Sequence, residues 1–260
     1  MRELFDEAAD QSPLDPQEAA KRSARTPQRR RFYATVDVVE TDAGFAIRLD
    51  GRLIRAPSGR IVAVPAREIA DAVAGEWTAQ KETIDPLSMP MTRFANSVVD
   101  AVMDRAELVR DDVAKYLSSD LLFYRAGHPE ALVAREAEHW DPVLFWAAEA
   151  LGAHFILVQG VMHVRQPDEA VAAARAALPS NPWSIAATHV VTTLTGSALL
   201  ALALLHGGLD ADAVWAAAHV EEDWNSAQWG ADDEALSRRA ARFNDFRAAA
   251  AILKALEGPS

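Results

Sequence analysis

Phe45-Ala46-Ile47-Arg48-Leu49-Asp50-Gly51-Arg52-Leu53-Ile54 decides how the first third of this chain folds. Phe45, Ile47 and Leu49 alternate with Ala46 and Arg48, the period of a half-buried strand. Asp50-Gly51 then offers two residues that tolerate positive φ, the strongest short-range hairpin signal. Leu53 and Ile54 begin the return strand. Outward from this hairpin, Tyr33 to Val39 reads as an earlier strand closed by Thr41-Asp42-Ala43-Gly44, and Ser58-Gly59 turns the chain into Ile61 to Val64. Four short strands of this kind make one small antiparallel sheet. Pro65 marks a helix start, and Ile69, Val73 and Trp77 form one apolar stripe that packs on the sheet. Ile84 to Asn96, with Asp85-Pro86 and Met89-Pro90-Met91, reads as a rigid, irregular connection.

From about Ser97 onward the pattern is helical. Val98, Val102, Val109, Val113 and Tyr116 recur at helical spacing. Trp140, Leu144, Ala147 and Leu151 do so around a break expected at Asp141-Pro142. Pro182 opens a strongly apolar helix that ends near His206-Gly207-Gly208. Ala211 to Gln228 gives another helix, and Asp233 to Leu256 a last one with Leu236, Phe243 and Leu253 facing inward. The expected fold class is α+β. Residues 29–96 form a small β-rich domain with one helix, followed by a larger all-helical domain over 97–260. Residues 1–28 carry Pro13, Pro16 and Pro27 and switch from acidic to basic at Lys21, which reads as a mobile arm. Arg29-Arg30-Arg31 reads as a solvated gatekeeper before the first strand.

Composition narrows the function. Half of the 260 residues are hydrophobic, enough for a sizeable core. The absence of cysteine excludes a disulfide scaffold, an iron–sulfur cluster, a cysteine-ligated zinc site and a thiol nucleophile. A formal net charge of -12 argues against non-specific binding to nucleic acid or to an anionic membrane. The longest apolar run, Ala198 to Leu205, is far short of the roughly 20 residues a membrane span needs. Met1 to Asp10 is acidic and lacks an apolar stretch, unlike a secretion signal or a mitochondrial leader. A soluble protein of a cytoplasm-like compartment is expected, with no membrane insertion and no nucleic-acid partner.

Motifs for common chemistries are missing. The sequence holds no GxxxxGK[ST] phosphate loop, no GxGxxG after a strand and no GxSxG elbow. The seven histidines form no HExxH pattern, so surface or core roles are expected rather than metal ligation. Glu221-Glu222-Asp223-Trp224-Asn225-Ser226-Ala227-Gln228-Trp229-Gly230 is the most informative stretch. On one continuous helix, Trp215, Glu222 and Trp229 would share nearly one face. Glu222 then has two readings: a general acid working with Asp223, or an ion-pair partner of Arg238, Arg239, Arg242 or Arg247. The second ranks first, because adjacent helical residues diverge by about 100°. Asp232, Asp233 and Glu234 suit either a helix N-terminus, where negative charge is favoured, or an exposed acidic knob that a partner reads. Residue chemistry alone leaves these two open.

Several segments taken in order resemble a known family. They are Arg31-Phe32-Tyr33, Leu49-Asp50-Gly51-Arg52, Glu76-Trp77-Thr78-Ala79-Gln80, and Ile84-Asp85-Pro86 through Met89-Pro90-Met91-Thr92-Arg93-Phe94-Ala95-Asn96. Further on come Tyr116-Leu117, Asp120-Leu121-Leu122-Phe123-Tyr124-Arg125-Ala126, Trp140-Asp141-Pro142, and Glu221-Glu222-Asp223 through Gln228-Trp229-Gly230. This set resembles the assembly chaperones of the alpha subunit of mitochondrial F₁-ATPase. The resemblance implies a β-rich domain joined to a helical one. It implies a molecular chaperone rather than an enzyme, one that binds the unassembled alpha subunit and shields the surface the beta subunit later covers. No cofactor, no metal and a monomeric state are expected, in a bacterial cytoplasm here and in the mitochondrial matrix for eukaryotic relatives. An acidic residue shortly after Trp-Gly matters in that family. The matching position is Asp233, with Asp232 and Glu234 beside it, and Glu222 and Trp229 complete the expected partner-binding set. The alternatives are a hydrolase built on Glu222, Asp223 or Asp233, and an adenine-nucleotide-binding regulator.

Overall fold

The computed structural model describes residues 29–230 and 232–256, which divide into two units between Ala101 and Val102. The arm expected over residues 1–28 lies outside the described residues.

The first unit is built around the quoted hairpin. Strand β1 (Val36–Thr41) runs antiparallel to β2 (Gly44–Leu49), with Val36 opposite Leu49 and Val38 opposite Ile47. β3 (Arg52–Leu53) returns along the other edge of β2 after Asp50 (φ 48°) and Gly51 (φ 78°), both left-handed as the Asp-Gly signal requires. β4 (Ala63–Val64) pairs with the start of β2, so β2 is the central strand. Gly44 is needed twice over: its φ is 115°, and a Cβ there would lie 2.4 Å from the Val64 carbonyl oxygen. The first strand starts at Val36, later than the sequence implies. Asp50 is the reason, since its carboxylate accepts from the backbone N–H groups of Ala34 and Thr35 and from the Thr35 hydroxyl. Those donors serve the hairpin turn instead of a ladder.

Helix α1 (Arg67–Ala79) buries Ile69, Ala70 and Val73 and packs on β1 and β2. The Tyr33 hydroxyl donates to the Trp77 carbonyl at 2.7 Å. The connection expected to be irregular over Ile84 to Asn96 is half helical. A 3₁₀ turn at Pro86–Ser88 leads into α2 (Pro90–Ser97). Pro90 occupies the first helical position, where its missing N–H costs nothing. The orphan donors behind it, Met91 and Thr92 N–H, reach the Glu76 carboxylate at 2.7 and 2.8 Å. The cap comes from another helix, which local pattern reading cannot see. The unit's last residues begin a π-helical turn, Val98–Val102.

The second unit holds α3 (Ala106–Tyr116), α4 (Glu130–Leu151), α5 (Asp168–Ala176), α6 (Pro182–Thr195), α7 (Ala198–Leu205), α8 (Ala211–Ala218), α9 (Val220–Trp229) and α10 (Asp233–Leu256). α7 is apolar all round and is accordingly the centre, surrounded by α3, α4, α6, α8 and α10. The apolar stretch from Pro182 is two helices, because Gly196 (φ 73°) ends α6 and the Ser197 hydroxyl oxygen accepts from Leu200 N–H to start α7. Asp120 is fully buried and anchors the same junction, accepting from Leu199 N–H at 3.1 Å and from Leu122 N–H at 3.2 Å. Burial pushes its carboxyl up to about 6 against these hydrogen bonds.

Helical patterning misses two features here. Tyr124–Arg125 (β5) pairs in parallel with Val158–Gln159 (β6), held by the Gln166 side chain, whose amide oxygen and nitrogen bond Ile156 N–H and C=O at 2.8 and 2.9 Å. The break expected at Asp141-Pro142 is absent, and α4 runs through it. Trp140 and Val143 are buried on either side, the Trp140 indole N–H donates to Ala217 C=O at 2.7 Å, and Arg125 bonds Asp141 at 2.8 Å. Together these offset the roughly 3 kcal/mol an interior proline costs.

Candidate functional site

The acidic and aromatic residues singled out by sequence lie in and around the corner between α9 and α10. The stretch expected as one helix from Ala211 to Gln228 breaks at His219 (φ −115°, ψ 16°), giving α8 and α9. Trp215, Glu222 and Trp229 therefore do not share one face. Trp215 is buried and packs at 5.0 Å on both Phe243 and Phe246 of α10, whereas Trp229 is 79% exposed. Gly230 (φ 81°, ψ 169°) turns the chain after Trp229 in a conformation that suits glycine.

Asp232 caps α10. Its carboxylate accepts from Ala235 N–H at 2.7 Å and its carbonyl from Leu236 N–H at 3.1 Å. Asp233 and Glu234 occupy the first turn, exposed, with Glu234 bonded to Arg238. The two readings of this acidic run are thus compatible: one residue satisfies the helix end, and the next presents its charge outward. Leu236, expected to face inward, is 52% exposed and extends the apolar surface of α10 near its start. Asp233 and Glu234 beside it are exposed too, so helical spacing with Phe243 does not bring it to the core.

Glu222 and Asp223 meet one of the four arginines that the sequence offers. Arg239 of α10 donates through Nη1 to Asp223 and lies 3.8 Å from Glu222. The closer partner is Asp223, and this bond pushes the Arg239 guanidinium pKa up. His219, 2% exposed, is not singled out by sequence. Its ring lies 3.9 Å from that of Trp215, and its Nδ1 is 2.8 Å from the Trp215 carbonyl, which makes Nδ1 the protonated nitrogen. Nε2 has no hydrogen-bond partner and faces Glu222 at 3.9 Å. Burial, reinforced by Arg239 and Arg242, holds the His219 pKa below its usual value, so the ring is neutral near pH 7. Arg135 of α4 lies over the Trp224 ring at 5.2 Å and ties α9 to the bundle.

The chemistry available at this corner is therefore that of a surface: an exposed indole, an exposed leucine and carboxylates at a helix start. Among the described residues no group of three or more histidine, aspartate or glutamate side chains is placed to hold a metal ion. No helix among them is long and apolar enough to cross a membrane.

Comparison with known proteins agrees with this character. The family model described as ATP12 chaperone protein matches residues 30–148. The mitochondrial protein atp12 of Schizosaccharomyces pombe is 24% identical over 222 residues, 80% of this chain and 76% of that one. Among solved structures, the Atu1473 protein of Agrobacterium tumefaciens superposes with a TM-score of 0.85 at 46% identity, covering 95% of this chain and 92% of that one. Atp12 from Paracoccus denitrificans gives a TM-score of 0.81 at 37% identity, covering 87% and 98%. An aspartate-to-lysine variant of that Paracoccus protein gives 0.80 at 37% identity, covering 87% and 97%. The class these likenesses define is an α+β chaperone. The chain belongs to the ATP12 chaperone family. The family-model match stops within α4, short of the corner, whereas the solved relatives span most of the chain.

Proposed function

We propose that this chain serves ATP synthase assembly by holding the unassembled alpha subunit of the F₁ sector until the beta subunit replaces it, and that it performs no catalysis. The observation that carries this reading is the corner after α9 in a member of the ATP12 chaperone family: Trp229 stands exposed, and within five residues along the chain come the exposed carboxylates of Asp232, Asp233 and Glu234. An exposed indole beside charge is the composition of a binding hot spot with a polar rim. Asp233 supplies outward charge, Trp229 supplies apolar area, Asp232 orients the helix start, and Glu222 supports the corner through Arg239. The hydrolase reading loses its acid, because Glu222 and Asp223 both face the Arg239 guanidinium. The nucleotide reading has no phosphate-binding loop to stand on. A bacterial cytoplasm and a monomeric state complete the proposal.

Titration calorimetry against purified F₁ alpha subunit tests it. The wild-type chain binds, and Asp233→Lys weakens binding roughly tenfold or more by reversing one interfacial charge. The folded core is unaffected, since the residue is exposed at a helix start. The solved aspartate-to-lysine variant of the Paracoccus relative shows that such an exchange can leave this fold in place. No measurable heat and no capture of alpha subunit by the wild-type chain would remove the proposal.

A further inference from the structure

We propose that Arg239 is a positioning residue for partner binding: by gripping Asp223 and Glu222 it fixes the rotation of α9 and so the direction in which Trp229 and the acidic corner are presented. This inference rests on the reading of the corner as the partner-binding surface.

The backbone at the two ends of α9 leaves its direction open. The helix has ten residues, begins at the non-helical His219 and ends at Gly230. Neither joint carries a side-chain cap for α9: His219, buried on Trp215, supplies none, and Gly230 sits in a positive-φ conformation that suits glycine. Lateral contacts must therefore orient α9. One is the Arg135–Trp224 contact to α4. Another is Arg239, a half-buried side chain from α10 that reaches two consecutive residues of α9.

Consecutive positions on a helix diverge by about 100°, so one Arg239 nitrogen, bonded to Asp223 and 3.8 Å from Glu222, resists rotation of the helix in either sense. Trp229 is seven residues beyond Glu222 and returns to nearly the same azimuth, which couples the indole's direction to the grip. Asp223 and Arg239 are 16 residues apart, and the hairpin they close contains Trp229, Gly230, Asp232 and Asp233. Arg242 has a different task, donating to the Leu194 carbonyl of α6 at 2.7 Å. Arg238 bonds Glu234 within its own helix. Of the three, only Arg239 is bonded across the hairpin to α9.

The test combines Arg239→Met, Arg239→Lys and Asp233→Lys, with affinity for purified F₁ alpha subunit, melting temperature and hydrogen exchange over residues 220–236 as readouts. Arg239→Met is expected to speed exchange over α9, to weaken binding about tenfold and to leave the cooperative melt of the bundle in place. Arg239→Lys keeps the charge without the planar fork, and recovers only part of the affinity. In the Asp233→Lys background Arg239→Met costs much less than tenfold, because both act through one surface. Full additivity, or unchanged affinity with Arg239→Met while Asp233→Lys weakens binding, overturns the positioning role and leaves the surface reading standing. Unchanged affinity with Asp233→Lys removes the surface reading, and this proposal with it.

Discussion

Asp120 shows how one carboxylate can hold a junction and still work against the fold at neutral pH. It is fully buried at the start of α7, and its carboxyl is raised from 3.8 to about 6. A group whose folded pKa is raised binds its proton more tightly in the native state. Stability from this residue is therefore greatest below about pH 4 and is lost as pH rises through about 6. A rise of this size corresponds to about 3 kcal/mol. Urea titrations of wild type and Asp120→Asn between about pH 4 and pH 7 check this. The variant should lack this falling component, while losing about 1–2 kcal/mol at low pH because its amide presents a donor to a backbone N–H. His219 acts in the opposite sense: its depressed pKa withdraws stability as pH falls below the unfolded value of about 6.5. Neither residue's environment is local in sequence. Asp120 meets Leu199 across 79 positions and His219 feels the charges of Arg239 and Arg242, so residue type alone gives no sign of either shift.

At the scale of elements, Glu76 carries the clearest prediction. It is the α1 residue that receives the first N–H groups of α2 and the Thr92 hydroxyl. Removing it as Glu76→Ala leaves these donors unmet in a part-buried site, and should cost about 2–3 kcal/mol in chemical denaturation. Glu76→Gln should recover part of this, since the amide oxygen still accepts. The same element marks the boundary of what the sequence discloses. The Asp50-Gly51 hairpin and the α1 stripe are short-range features, readable from spacing and turn chemistry, whereas the helix end at Gly196 is passed over because apolar residues continue on both sides of it. The segment from Met89 reads as irregular in sequence because its cap lies in α1. The run through Pro142 reads as broken because its compensation comes from Trp140, Arg125 and α8. The corner residues Asp232, Asp233 and Trp229 are legible through motif order. The identity of the arginine facing Glu222 is legible only as one of four, because helix rotation is settled by tertiary packing.

Considered as a whole molecule, the chain pairs a small sheet unit with a larger helical unit, and its net charge is -12. Its fold class follows from patterning because periods of two and of 3.6 occupy separate stretches of the sequence. If the proposed function holds, the contact at the corner is rimmed by the exposed charges of Asp233 and Glu234 and should respond to ionic screening. Affinity for the alpha subunit should fall between low and high salt, and should fall less for Asp233→Lys. Adding ATP or ADP to the isolated chain should leave its melting temperature unchanged, whereas alpha subunit should raise it by mass action. A nucleotide-induced rise would instead favour the regulator reading.

The tryptophans have an optical consequence. Of the seven indoles, Trp229 is the only one exposed, and Trp140, Trp183 and Trp215 are buried. A cationic collisional quencher such as caesium, drawn to the carboxylates beside it, therefore samples chiefly this ring in the free chain. Occupation of the corner should cut that quenching and shift the emission to shorter wavelength, whereas Trp229→Phe should abolish most of the quenchable signal at the outset. On the proposed function, the molecule thus carries an intrinsic dye at the place where its encounter with another chain is to be watched.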